Sequence, residues 1–477
     1  MSDPIPDNPY VLNEADITEP PTHWLKRLGY VGPGFILSAS IVGSGELIMT
    51  TSLGAKAGFV TLWVVLLSCL VKVAVQLEFG KHAIYSGDTA FSAFNKLPGP
   101  RFGKANWSIW TFLLLMILKF FQVGGVMGGI VLVMKLALPG VGGSLDSWLW
   151  CGVIGLSVSL LVYRGYYAPI EKASIVLIGL FTLTTLAAVF LLSRTPYAVS
   201  WADIGGGLTF HLPAAAVAVA IAAFGITGVG GDEIIMYNYW LLEKGYAAKT
   251  GPRRETEEWV HRAKGWIRIM YLDALLAMVG YTVVTAAFFI LGAAVLHRQG
   301  ADPGGTDLIK TLSSMYTETL GPWASGLFLG GAFVVLYSTL LSALAGWSRL
   351  FTDVFAQIGL LDFKNGPQRR RIVAWIAWVV PVLWGLLYLK FENPAYMVSL
   401  GGIATSAILL IVVYAAIHFR YRLLPHSLKP TRLYDVVFWV SIVSILMVGV
   451  YSFVQSLPKS AATPAPATAT EHVSAKS

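Results

Sequence analysis

Apolar residues run along this chain in blocks too long for a soluble core. Eleven stretches, near residues 30–55, 59–80, 107–135, 146–163, 172–193, 212–242, 265–296, 321–348, 371–390, 396–419 and 433–457, are dominated by Leu, Val, Ile, Ala, Phe and Gly. A helix needs about 20 such residues to cross roughly 30 Å of hydrocarbon. The pattern therefore predicts an all-α polytopic membrane protein with about 11 transmembrane helices. Polar positions gather between the blocks, mostly in short connections. Two are longer: 243–264, where Glu258 and Arg262 stand at helical i,i+4 spacing, predicts a cytoplasmic extension of the seventh span, and 297–320 predicts a short surface helix.

Two of the blocks are interrupted alike. Residues 43–49 read GSGELIM and 230–236 read GGDEIIM, so that Glu46 aligns with Glu233 and Met49 with Met236. Counting from these positions, spans one to five (24–195) and six to ten (208–420) form two repeats, and 421–457 adds one helix. Five is odd, so the second repeat enters the membrane from the opposite side, and matching glycine-interrupted spans in inverted halves point to a transporter's binding site. Backbone accounting gives the reason. Lipid cannot hydrogen-bond an unwound peptide, so a broken helix at membrane depth survives around a cavity or inside protein, and it leaves free carbonyls and N–H groups there. Small-residue packing explains one such cluster; two, each followed by an acid, favour a site. The candidate substrate-binding positions are Gly43, Ser44, Gly45 and Glu46 in the first span, with Thr227, Gly228, Val229, Asp232 and Glu233 in the sixth. Glu46 and Asp232 are the candidate metal ligands, and each glutamate is expected to open the second half of a broken helix.

Composition agrees: the 477 residues are 56% hydrophobic and only 13% charged. Of 34 Lys and Arg, 24 fall on the side bearing the N-terminus, eight on the other, and Lys72 and Lys119 inside spans. This bias predicts a cytoplasmic N-terminus and an outer C-terminus in a bacterial inner (plasma) membrane. The net charge of +8 then reflects topology and the lipid bilayer as partner, with no nucleic acid. Cys69 and Cys151 lie in apolar runs and make no disulfide framework. Residues 1–23, acidic and Pro-rich, and 458–477, of low complexity, are expected as disordered tails.

Lys119 falls halfway along the third span with Gln122 one turn on, too deep for its stem to reach an interface. It needs a partner carboxylate, with Glu46, Asp232 and Glu233 as candidates, and the pair Lys119 and Gln122 is assigned to a coupling or ion pathway. Lys72, nearer the end of its span and six residues before Glu78, is read as structural. No zinc spacing, hydrolase elbow or cofactor motif is present, so no enzyme and no cofactor are expected.

GPGF at 32–35, GAKAGFVTLWVVL at 54–66, GYYAPIEKA at 165–173 and STLLSALAG at 338–346 together resemble the Nramp family of proton-coupled divalent metal transporters over roughly residues 24–420. The resemblance implies a LeuT-like 5+5 inverted repeat with broken helices one and six. The family's functional positions are altered. Its DPGN falls on Gly43, Ser44, Gly45 and Glu46, and its metal-binding Met falls on Val229 or Asp232, depending on which side the register is counted from. Its span-three acids fall on Lys119 and Gln122. Without sulfur, carboxylates and carbonyls suit hard cations such as Mg, Mn or Ca. A lysine opposes them: at about 4 Å and an effective dielectric near 20, one like charge costs about 4 kcal/mol. The first reading is thus a secondary transporter of a small inorganic cation. The alternative is a carrier of an organic solute, an amino acid or amine, with Lys119 in place of a coupling ion. A membrane sensor or scaffold retaining the fold is the third.

Overall fold

The structure, a computed structural model, describes residues 8–163 and 167–456, without the side chains of Ala39, Ser44, 167–177 and 452–456. The tail expected over 458–477 lies outside these residues, as do the start and the side chains of the GYYAPIEKA match.

Eleven helical runs of membrane length follow in order. α1 comprises Pro33–Ile41, Val42–Thr50 and Thr51–Ala57; α2 is Leu62–Ser86, α3 Trp107–Ala137, α4 Asp146–Tyr163 and α5 Tyr167–Leu191. α6 has two halves, α6a (Val217–Ile226) and α6b (Gly231–Glu243). Then come α7 (Glu257–Leu291), α8 (Ala324–Ile358), α9 (Gly366–Phe391), α10 (Pro394–His418) and α11 (Arg432–Ser456). Nine continuous described runs meet the length and apolarity needed to cross a bilayer. α1 and α2 run on through one tight turn and count as one, and around α5 the stretch with described side chains is Ile178–Arg194. The surface helix expected within 297–320 is Leu308–Leu320. The segment 243–264 corrects the expectation of a simple extension: it holds a separate short helix, Tyr246–Thr250, and α7 starts only at Glu257.

Polarity is distributed as lipid demands. Leu114, Leu183, Phe190, Val382, Val440 and Met447 are exposed, whereas Glu46, Lys72, Lys119, Asp232, Asp273 and Asp353 are buried. α3 lies in the middle, packed against α8, α9 and α10, while α10 also crosses α6a. That crossing is close because it is made by glycines: a Cβ on Gly225 would strike the Gly402 carbonyl, and one on Gly402 would come within 2.5 Å of the Ala222 carbonyl.

GPGF has a structural explanation. Pro33 opens α1, and the Asp273 carboxylate of α7 accepts from the N–H groups of Gly32 (2.8 Å) and Gly34 (2.7 Å) and from the Tyr237 hydroxyl (3.0 Å). It thereby satisfies N–H groups that a helix start leaves without partners.

The expected disorder of 1–23 is corrected for residues 8–23. Tyr10 is buried and donates to Glu243 Oε1 (2.6 Å), Thr18 N–H donates to the Lys249 carbonyl (3.0 Å), and Trp266 Nε1 donates to the Thr18 carbonyl (3.0 Å). The stretch looks featureless in sequence because these hydrogen-bonding partners are more than 200 residues away.

Candidate functional site

The two interruptions differ in kind. In α6 the helix ends at Ile226, Gly228 takes a left-handed φ of 66°, and a new helix starts at Gly231. In α1 the chain does not unwind: Val42–Thr50 widens into a π-helix between two α-helical stretches, which corrects the expected break at GSG. Threonines stabilise it, since Thr50 Oγ1 and Thr51 Oγ1 donate to the Gly45 and Glu46 carbonyls (3.0 and 3.3 Å). The glycines here serve close approach. Gly43 sits on Thr339 of α8, whose hydroxyl accepts from its N–H (3.2 Å), and a Cβ on Gly45 would stand 3.0 Å from the Ile226 carbonyl. Ser44 contributes its backbone to the π-helix; its side chain is outside the described set.

Glu46 therefore stands inside the π-helix and does not open a second half-helix. Its Oε1 accepts from Thr285 Oγ1 of α7 (2.8 Å) and from Gly228 N–H in the α6 break (3.2 Å). Its Oε2 is buried with no hydrogen-bond partner. Glu233 is the third residue of α6b, as expected, and folds back over Gly230; its Oε2 is likewise buried without a partner. Thr227 Oγ1 meets Thr50 Oγ1 (3.1 Å), which ties the break to α1, and Val229 is buried beside it.

Lys119 pairs with Asp232, its Nζ 2.9 Å from Oδ1, and donates to Gln122 Oε1 (2.7 Å) and to Thr405 Oγ1 of α10 (2.9 Å). Of the three acids weighed as partners, the ion pair falls to Asp232, so the candidate metal ligand and the candidate coupling residue occupy each other. Among the described residues no cluster of three His, Cys, Asp or Glu side chains is placed to hold a metal.

Sequence reasoning missed three residues. Thr285 and Asp273 carry no local signal, because their partners come from α1 and its cap and, for Asp273, from Tyr237 of α6b as well. Lys72 keeps the structural role read for it, and the part missed is its place at the break, where its Nζ donates to the carbonyls of Thr227 (2.7 Å) and Gly225 (3.2 Å). The available signal was Ser68 and Lys72 at i,i+4 spacing, which puts both on one face of an apolar helix.

A membrane-embedded helical bundle whose interrupted sixth helix meets its first amid buried charge defines the class: a transmembrane transporter of LeuT-like architecture. Within it the chain belongs to the Nramp family, natural resistance-associated macrophage protein-like, whose model matches residues 34–455. An uncharacterized protein of Pasteurella multocida is 25% identical over 342 residues, 68% of this chain and 70% of that one. A divalent metal cation transporter, MntH, of a Nostoc species is 22% identical over 459 residues, 95% and 96% of the two chains. A crystal structure of the Eremococcus coleocola manganese transporter superposes with a TM-score of 0.61 at 15% identity, covering 94% of each chain.

Proposed function

We propose that this protein is a secondary active transporter that carries a divalent metal cation, with a bias toward hard cations such as Mn, Mg and Ca. One observation supports the reading most: Glu46 Oε2 and Glu233 Oε2, both buried beside the α6 break, have no partner. A carboxylate left so at membrane depth costs several kcal/mol unless a cation or proton covers it. Glu46 and Glu233 are the proposed substrate ligands. The hydroxyls of Thr50 and Thr227, which meet at the break (3.1 Å), and of Thr285, bonded to Glu46, are the neutral oxygens proposed to accompany them, and no thioether takes part. Asp232 is proposed to balance Lys119 and not to bind the cation. The charge bias supports an N-terminus in the cytoplasm of a bacterium and a C-terminus outside.

The Lys119–Asp232 pair favours a second reading. A fixed positive charge there suits an organic solute whose cationic end meets Glu46. Uptake into proteoliposomes separates the two: Mn, Mg and Ca are compared with a panel of amino acids and amines, with and without a proton gradient. The first reading expects saturable uptake of at least one metal. Glu46→Gln should abolish it while leaving thermal unfolding nearly unchanged, because the amide oxygen can still accept from Thr285 and Gly228. Absence of metal flux rejects the reading, and saturable flux of an organic solute establishes the second.

A further inference from the structure

Backbone accounting at the end of α6a leads to one group that the proposed cation site does not use. A helix that stops inside a membrane leaves its last carbonyls without donors, and their dipoles make that end negative. Here the donors come from a single turn of α2. Ser68 Oγ donates to the carbonyls of Phe224 (2.9 Å) and Thr227 (2.8 Å). The Lys72 ammonium takes the carbonyls of Gly225 (3.2 Å) and Thr227 (2.7 Å) and lies 5.1 Å from the centre of the Phe224 ring. Lys72 is fully buried, and no carboxylate forms an ion pair with it among the described residues. Lys119 is the contrast, since it answers an aspartate. The Lys72 charge is met by backbone carbonyls and a ring face, the oxygen-and-dipole surroundings of a small monovalent cation.

We infer that Lys72 is a tethered cation: its ammonium fills a monovalent-cation site made by the carbonyls of Gly225 and Thr227, and it holds the α6 break in shape. It is a positioning residue, because it touches the break that carries Gly228 and so the N–H that orients Glu46. Transport should accordingly need no free monovalent cation at this position. That half of the inference rests on the transporter reading above; the site itself does not.

Chemical rescue tests it. Lys72→Ala removes four heavy atoms, which n-propylammonium replaces atom for atom, whereas 1-propanol fills the same space without charge. In purified protein, the variant should unfold at a lower temperature in choline chloride. The loss should be recovered saturably by n-propylammonium and not by 1-propanol, while the wild type responds to neither. Metal uptake by the variant should be lost and recover in the same pattern. The unfolding measurement involves no transported substrate, so it stands even if the metal reading fails. Wild-type stability in choline, equal rescue by 1-propanol, or no rescue by any cation would each overturn the inference. Should Lys72→Ala not fold, two further measurements decide. Lys72→Met, which keeps most of the stem and lacks the ammonium, must unfold earlier than wild type. Wild-type unfolding must be the same in sodium, potassium and choline chloride, and stabilisation by sodium or potassium alone would refute the tethered cation.

Discussion

Single residues carry the charge balance of the centre, where three acids (Glu46, Asp232, Glu233) and two lysines (Lys72, Lys119) are buried. That Lys119 needs a carboxylate was legible in the sequence, because a lysine at mid-span cannot bring its head to water. Which carboxylate was not legible, because the rotation of α6b relative to α3 is written in no local spacing. The pair makes a definite prediction. Lys119→Met leaves Asp232 charged, buried and uncompensated, and should cost about 3–5 kcal/mol of stability. Combining it with Asp232→Asn should recover most of that loss, since both charges then leave together. A double-mutant cycle on thermal or denaturant unfolding reads the coupling directly. Additive losses would mean that the two groups do not depend on each other.

At the level of helices, glycine does two different things at the two interruptions, and only one of them is unwinding. Gly228 has the positive φ that lets α6 turn off its axis, whereas Gly43 and Gly45 have no positive φ and admit Thr339 and the Ile226 carbonyl. The sequence shows GSG and GVGG as similar clusters, and composition cannot tell torsional freedom from close approach. The π-helix in α1 depended on Thr50 and Thr51 supplying hydroxyls five residues on from the carbonyls they satisfy, a signal that glycine counting passes over. Where α6a crosses α10, the requirement for glycine is steric and backbone against backbone. Gly225→Ala would press on the Gly402 carbonyl, which has no rotamer to yield, so it should cost about 1–3 kcal/mol or more. It should also reduce uptake, because Gly225 supplies one of the carbonyls that Lys72 holds. Gly280 of α7 is the control: a Cβ there meets nothing within 4 Å. Gly280→Ala should be neutral or mildly stabilising by the helix propensity of alanine. Equal unfolding and uptake for the two variants would contradict the close-contact account.

Across the whole molecule, the number and order of helices were legible because hydrophobic length is a local property, while closure at the N-terminal face was not, because it joins distant segments. Residues 8–20 run over the ends of several helices: Leu12 lies against Gly87, Ile17 against Gly251 and Pro20 against Gly265. Tyr10 is the central fastening. Its hydroxyl bonds Glu243 at the end of α6b, Arg349 of α8 grips the same carboxylate (2.6 and 3.0 Å), and the Arg369 guanidinium of α9 stands 4.7 Å from its ring centre. One short stretch, leading toward the start of α1, thus ties α6, α8 and α9 together. Tyr10→Phe removes one hydrogen bond to a charged group and leaves the ring and the Arg349–Glu243 pair in place. At about 1.5–3 kcal/mol for such a bond, local opening should become roughly ten- to a hundredfold more frequent. Hydrogen exchange at the Thr18 amide, bonded to the Lys249 carbonyl, reports it on folded protein. Global unfolding should move much less than exchange does, since the helical core does not depend on this bond. Unchanged exchange at Thr18 would show that the segment is held by its apolar contacts, with Tyr10 no part of the closure.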